Sequence, residues 1–208
     1  MKKNLPITTL FVDIGGVLLT NGWGHEFRSL AAKTFDLNYK EMEKRHHENF
    51  NIFELGKLGL EEYLERVVFY EGRRFSMNVF KKFMFAQNKS FPLMIDLIKK
   101  LKAKYRLKIV AVSNEALEIN AYRIKKFELD MFVDFYVSSC YVRLCKPDKD
   151  IFRLALDVAQ VAPQQIIYID DTSLFVQVAE SLGMHSIFHR DYKSTRAKLA
   201  RLGLDILK

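Results

Sequence analysis

Five short apolar runs limit what this chain can fold into. They are TTLFVD (8–13), LKIVAVSN (107–114), FVDFYVSS (132–139), QQIIYID (164–170) and HSIFHR (185–190). Each is rich in β-branched or aromatic residues and apolar nearly throughout. A strand that alternates apolar and polar residues can keep one face in water, whereas one apolar on both sides must be covered on both. Segments with helical periodicity separate the later runs: PLMIDLIKKLKAKY (92–105), ALEINAYRIKKF (116–127), KDIFRLALDVAQ (149–160) and SLFVQVAESLG (173–183). Strands alternating with helices build parallel βαβ units. The expected fold class is α/β, a doubly wound parallel sheet, with Gly183 capping the helix before the last strand.

One region breaks the alternation. Residues 20–90 contain no convincing strand and read as helices in HEFRSLAAKTF, YKEMEKRHHENFNIFELG, LEEYLERVVFYEG and MNVFKKFMFAQ. The expected organisation is one α/β core made of 1–19 and 91–208, interrupted by a helical insertion at 20–90. No internal repeat or low-complexity segment is visible.

The bulk properties exclude several classes. Hydrophobic residues make up 49% of the 208 and charged residues 28%, a globular composition with enough apolar material for a full core. No apolar stretch reaches the length of a membrane-spanning helix. The amino terminus, MKKNLPITTLFVD, resembles a signal peptide only superficially. Pro6 and Asp13 bracket too short an apolar core, and no small-residue cleavage site follows. Cys140 and Cys145 are too few for a disulfide framework or a zinc site, which predicts reduced thiols in a cytoplasmic protein. The net charge is +8. Lys99–Lys108 carries a basic cluster, but Leu93, Ile95, Leu97, Ile98 and Leu101 supply an apolar side to the same helix, so the cluster reads as its solvated face.

In open parallel sheets, ligands bind beyond the carboxyl ends of the strands. The first strand delivers Asp13 there. The second ends in Ser113 and Asn114, the segment after the third carries Lys146, and the fourth ends in Asp170 and Asp171. Each alone has a bland reading as a turn, cap or surface residue. Together they suit one reaction. A carboxylate can act as nucleophile and form an aspartyl-phosphate, and phosphoryl transfer depends mainly on positioning and charge neutralisation. Mg²⁺ takes hard oxygen ligands from one or two carboxylates, which Asp13 and an acid of the 170–171 pair can supply. Lys146 can balance the carboxylates and the phosphate. The Ser113 hydroxyl and the backbone N–H groups after it can hold phosphate oxygens.

Four segments, FVDIGGVLL, IVAVSN, KPDKDIF and YIDDTSLFVQVAESLGM, resemble in order the motifs of the haloacid dehalogenase (HAD)-like hydrolases. The insertion is similar to the family's C1-type cap. FELGKLGLEEYLERVV (53–68) is similar to a cap segment in the subgroup that includes sugar-1-phosphate phosphatases. The resemblance implies a Rossmann-like core and Mg²⁺-dependent hydrolysis of a small phosphorylated metabolite. It makes Asp13 the nucleophile and a metal ligand, with the backbone carbonyl of Gly15 as a second ligand. Asp171 is then a direct metal ligand, and Asp170 acts through water or by supporting the ligands from behind. Ser113 and the Asn114 backbone bind phosphate, and Lys146 orients both Asp13 and phosphate.

The chain departs from this pattern at Gly15, where most phosphatases of the family carry the acid that protonates the leaving group. General acid–base catalysis typically contributes about 10²–10⁴-fold, so its loss favours good leaving groups such as sugar 1-phosphates or acyl phosphates. Otherwise the insertion must supply a substitute, for which His25, Glu26, His46 and His47 are candidates by position. Trp23, between Gly22 and Gly24, reads equally as a ring that stacks on substrate or as a pin between insertion and core. Three other functions stay open: a catalytically weak binding or regulatory protein, motivated by Gly15; a dehalogenase using the same nucleophile; and nucleic-acid binding, which rests only on the basic charge. The oligomeric state is not legible.

Overall fold

The structure, a computed structural model, describes residues 5–207. The lysines at positions 2 and 3, part of the signal-peptide comparison, lie outside them. Five strands, β1 (Thr9–Val12), β2 (Lys108–Ser113), β3 (Phe135–Ser138), β4 (Ile166–Asp170) and β5 (His185–Phe188), form one parallel sheet in the order β3-β2-β1-β4-β5. The apolar runs become strands because both faces are covered. Leu10 and Val12 face α5 (Pro92–Tyr105) and α10 (Tyr192–Arg201), meeting Leu97, Ile98, Leu101 and Leu199. Phe11 faces the other way and packs with Phe152 and Ala155 of α8 (Lys149–Ala159) and Ala179 of α9 (Ser173–Ser181). Gly183 follows α9 with φ +89°, and the Met184 N–H returns to the Ala179 carbonyl, closing the helix end.

Four helices occupy the insertion: α1 (His25–Phe35), α2 (Tyr39–Glu54), α3 (Leu60–Val67) and α4 (Met77–Ala86). Their shared core includes Met42, Phe53, Tyr63, Phe80 and Met84. Ala116 and Ile119 join it, at the start of α6 (Leu117–Lys126), directly after β2. The insertion is therefore seated over the carboxyl end of the sheet.

Three local expectations change. The run 132–139 is a strand only over 135–138. Residues 129–131 form a 3-10 turn, and Ser139–Val142 coil into the short helix α7. Helix α10 was not expected. Its buried residues are Thr195 and Leu199, too few for a visible apolar stripe, and Asp191 caps it by accepting from the Ser194 N–H at 2.8 Å. Leu93, assigned to the buried side of α5, is 62% exposed. It lies in the first turn, at the amino-terminal end beyond the sheet's cover. The basic residues Lys99, Lys100 and Lys104 do lie on the exposed face of α5.

Candidate active site

The strand order reverses between β1 and β4, which makes their carboxyl ends the switch point of the sheet. Val12 pairs with Ile169 and with Ala111. The residues that follow, Asp13 and Asp170, therefore emerge side by side, with Ser113 next to them. One carboxylate oxygen from each of Asp13, Asp170 and Asp171 lies within 4.8 Å of the others. Lys146 Nζ is buried between two of them, 3.2 Å from Asp13 Oδ2 and 2.7 Å from Asp170 Oδ2. Ser113 Oγ donates to Asp13 Oδ1 at 2.6 Å, and the Ile14 N–H donates to the same oxygen at 2.8 Å.

Burial sets the electrostatics of this cluster. Desolvation pushes the Asp13 carboxyl up, to about 7; Lys146 pulls it down, and Asp170 adds to the rise. Burial likewise opposes the charge on Lys146, but Asp13 and Asp170 outweigh it and hold the ammonium above its usual range. Burial and Asp170 also raise Asp171. Three carboxylates so close, with one ammonium among them, leave excess negative charge that a divalent cation would neutralise. The donors are hard oxygens, the chemistry that suits Mg²⁺.

The two adjacent acids are not equivalent. Asp170 is fully buried, and protein donors already engage both its oxygens: Lys146 Nζ and Tyr168 OH on Oδ2, and the Thr172 N–H on Oδ1 at 2.7 Å. Asp171 is half-buried and meets Asn21 Nδ2 at 3.4 Å and Thr172 Oγ1 at 3.5 Å, both long contacts. Its oxygens are the freer ones.

Asn114 acts through its side chain on the protein rather than on the cavity. Its Oδ1 accepts from the Lys146 N–H at 2.8 Å, and its Nδ2 donates to the Lys146 carbonyl at 2.9 Å. The amide thereby clamps the segment that carries the lysine. A cavity of about 550 Å³ opens beside these groups, lined by Asp13, Gly15, Asp171 and Lys146 from the core and by Phe50, Phe53 and Glu54 from α2. That volume suits a small molecule.

Of the residues the sequence suggested, Asp13, Gly15, Ser113, Asn114, Lys146 and Asp171 all line this cavity, and Asp170 is hydrogen-bonded behind it. The proposed substitutes for the missing acid do not line it. His25, Glu26 and His47 are exposed on the insertion. His46 is buried in the insertion's interior, where its Nδ1 meets Tyr63 OH at 2.7 Å. Trp23 is held within the insertion, where its Nε1–H donates to the same Tyr63 oxygen at 2.8 Å, and it contributes to the cavity wall.

The structure also explains the space at Gly15. A β-carbon there would meet Asn21 Oδ1 at 2.7 Å, with Arg123 Nη1 at 3.7 Å. Arg123 is itself buried, paired with Glu115, and donates to Asn88 Oδ1 at 2.6 Å and to the Thr20 carbonyl at 3.1 Å. Sequence reading missed Asn21, Glu115, Arg123, Tyr168 and Glu54. Glu115, directly after Ser113-Asn114, had the plainest signal.

A family model for haloacid dehalogenase-like hydrolases matches residues 7–183. The chain belongs to this family. Among curated relatives, it is 32% identical over 82 residues to the pig bifunctional epoxide hydrolase 2, covering 39% of this chain and 15% of that protein. It is 28% identical over 94 residues to a phosphorylated carbohydrates phosphatase of Thermotoga maritima, covering 45% of this chain and 42% of that one. The matched stretches are thus less than half the length of these relatives. A HAD family enzyme of Bacteroides thetaiotaomicron, bt-2542, solved in complex with magnesium and inorganic phosphate, superposes with a TM-score of 0.75 at 21% identity, covering 88% of this chain and 94% of that one. The L-2-haloacid dehalogenase of Xanthobacter autotrophicus, with chloropropionic acid covalently bound, superposes at 0.62 with 14% identity, covering 95% and 84%. At these identities both likenesses concern the fold.

Proposed function

We propose that this HAD-like hydrolase is a Mg²⁺-dependent phosphatase of a small phosphorylated metabolite, with Asp13 as nucleophile. The observation that carries the reading is the cluster of Asp13, Asp170 and Asp171 carboxylates within 4.8 Å of one another, with Asp13 and Asp171 lining the cavity and Asp170 behind it. Such a group suits a cation and, through it, a phosphate. It has no evident use in displacing halide from carbon. The magnesium-and-phosphate complex of the Bacteroides enzyme and the activity named for the Thermotoga relative favour the same reading.

In this reading Asp13, Asp171 and the Gly15 carbonyl hold the metal, and Asp170 supports it indirectly because its oxygens are engaged by Lys146, Tyr168 and Thr172. When bound, the metal neutralises phosphate charge. Lys146 orients the Asp13 carboxylate and offers a positive charge to the transferring group. Ser113 Oγ and the backbone amides beyond it receive phosphate oxygens. The Asp13 carboxylate attacks phosphorus, the bond to the leaving oxygen breaks, and water then hydrolyses the aspartyl-phosphate. The helical insertion over the cavity is read as a cap that selects the substrate. The cavity's arginines Arg28 and Arg123 are already paired with Glu43 and Glu115, which favours a substrate with a single phosphate.

The test is hydrolysis of phosphate esters with and without Mg²⁺, wild type beside Asp13→Asn. Turnover that requires both the metal and Asp13 is expected. Equal inertness of the two proteins on every ester would overturn the reading and bring a binding role forward.

A further inference from the structure

Glu54 is the last residue of α2, and it lines the same cavity as Asp13 and Lys146. The core holds it there. Its carbonyl oxygen accepts from Ser139 Oγ at 2.7 Å, and the Leu55 carbonyl accepts from Arg143 Nη1. Gly56 follows with φ +62° and lies so close to α7 that a β-carbon would meet the Cys140 carbonyl oxygen at 2.6 Å. The end of α2 is therefore locked onto the segment after β3. Among the described residues the Glu54 carboxyl accepts one hydrogen bond, from Asn114 Nδ2 to Oε2 at 3.5 Å, a long bond, and the residue lines the cavity. Asn114 is also the residue that clamps Lys146. The insertion thus brings a carboxyl group beside the nucleophile's neighbours, while position 15 has no side chain.

We infer that Glu54 is the general acid–base of this site, donating a proton to the leaving oxygen and later taking one from the attacking water. The inference rests on the phosphatase reading above. Four ionisable groups face Glu54: Glu115, Lys146, Asp13 and Cys145. Burial and Glu115 push its carboxyl up, to about 8, against the pull of Lys146. Glu54 is then protonated at neutral pH and poised for transfer.

The proton balance closes over one cycle. As the Asp13 oxygen bonds to phosphorus, the phosphorus–oxygen bond of the ester breaks and its electron pair goes to the leaving oxygen. The Glu54 proton caps that oxygen, releasing an alcohol and leaving Glu54 as carboxylate. Water then attacks the phosphorus of the aspartyl-phosphate and gives its proton to Glu54. The phosphorus–oxygen bond to Asp13 breaks, its electron pair returns to the Asp13 carboxylate, and phosphate departs. With an acid of this kind, the bias toward good leaving groups expected from Gly15 is relieved.

The test compares an aryl phosphate (p-nitrophenyl phosphate) with an alkyl phosphate (glucose 6-phosphate) in wild type, Glu54→Gln and Asp13→Asn. Glu54→Gln keeps the shape and can still accept from Asn114, and a melting curve checks its fold. The expected result is a loss of at least about 100-fold in kcat/KM on the alkyl ester, with at most a few-fold loss in kcat/KM on the aryl ester, because that ratio reports the phosphorylation of Asp13 and the aryl leaving group needs no proton; kcat, which also contains water activation by Glu54, should fall on both. The wild-type alkyl rate should also fall above about pH 8, a limb missing from Glu54→Gln. Equal loss of kcat/KM on both esters, no loss on either, or a wild type that handles aryl but not alkyl phosphate would each overturn the assignment. If Asp13→Asn is as active as wild type, the nucleophile reading has failed, and the role of Glu54 falls with it.

Discussion

A β-carbon on Gly16 would stand 1.9 Å from Asp171 Oδ2. The strand β1 turn and the strand β4 end approach so closely that only a glycine fits between the two acids. Its φ of +70° is also in the left-handed region. Gly16→Ala should therefore cost about 1–2 kcal/mol in backbone strain alone and displace the Asp171 carboxylate. Thermal unfolding with and without Mg²⁺ checks this. Wild type should gain stability from the metal, whereas Gly16→Ala should melt lower and gain less.

Asn114 holds Lys146 through two hydrogen bonds to its backbone. At about 0.5–1.5 kcal/mol each, Asn114→Ala should lose about 1–3 kcal/mol of stability. Activity should fall more steeply than stability, because the ammonium between Asp13 and Asp170 loses its placement. Denaturant unfolding and kcat/KM on one ester measure the two effects separately. A stability loss with unchanged turnover would show that Lys146 is placed by its ion pairs alone.

Burial and the neighbouring Arg28 hold the His46 imidazole down, to about 3. The ring is neutral in the folded protein, and Tyr63 OH can donate to its Nδ1 while accepting from Trp23. The unfolded chain binds a proton at His46 below about pH 6.5 that the folded chain refuses until about pH 3. Stability from this group is therefore complete above about pH 6.5 and is lost progressively as pH falls from there toward 3, by up to roughly 4 kcal/mol. His46→Gln, which cannot titrate, should flatten that part of the stability–pH curve measured by urea unfolding.

The space at Gly15 predicts how an acid restored there would behave. In a Glu54→Gln background, a Gly15→Asp side chain meets Asn21 and lies close to Arg123. Contact with the Asn21 amide would keep it turned from the leaving oxygen. Turnover of alkyl phosphates should stay low with Gly15→Asp and rise when Asn21→Ala is added. Full recovery with Gly15→Asp alone would show the space to be open.

The legible part of this protein was local. A strand buried on both faces shows itself as a continuous apolar run, and the polar residue that ends it falls at the sheet's edge. Asp13, Ser113 and the Asp170–Asp171 pair were visible for that reason, and Lys146 for its place beside Pro147 in a family-like motif. Helix α10 was not visible, because an edge helix that buries little more than Leu199 and Thr195 leaves no apolar stripe. Leu93 misled because helical periodicity does not report where a neighbouring layer stops.

The sequence by itself determined the order of strands and helices, the insertion after the first strand, and which polar residues end up at the carboxyl edge. Short-range periodicity dictates these, through the burial each element must achieve. Tertiary structure alone decided which acid of the 170–171 pair keeps free oxygens, that the Asn21 side chain stands beside Gly15, and that Glu54 rather than a histidine reaches the cavity. Each of these depends on contacts between residues far apart in the chain, such as Glu54 with Asn114 and Asn21 with Asp171. No periodic pattern encodes such contacts, because packing of the insertion against the sheet sets them.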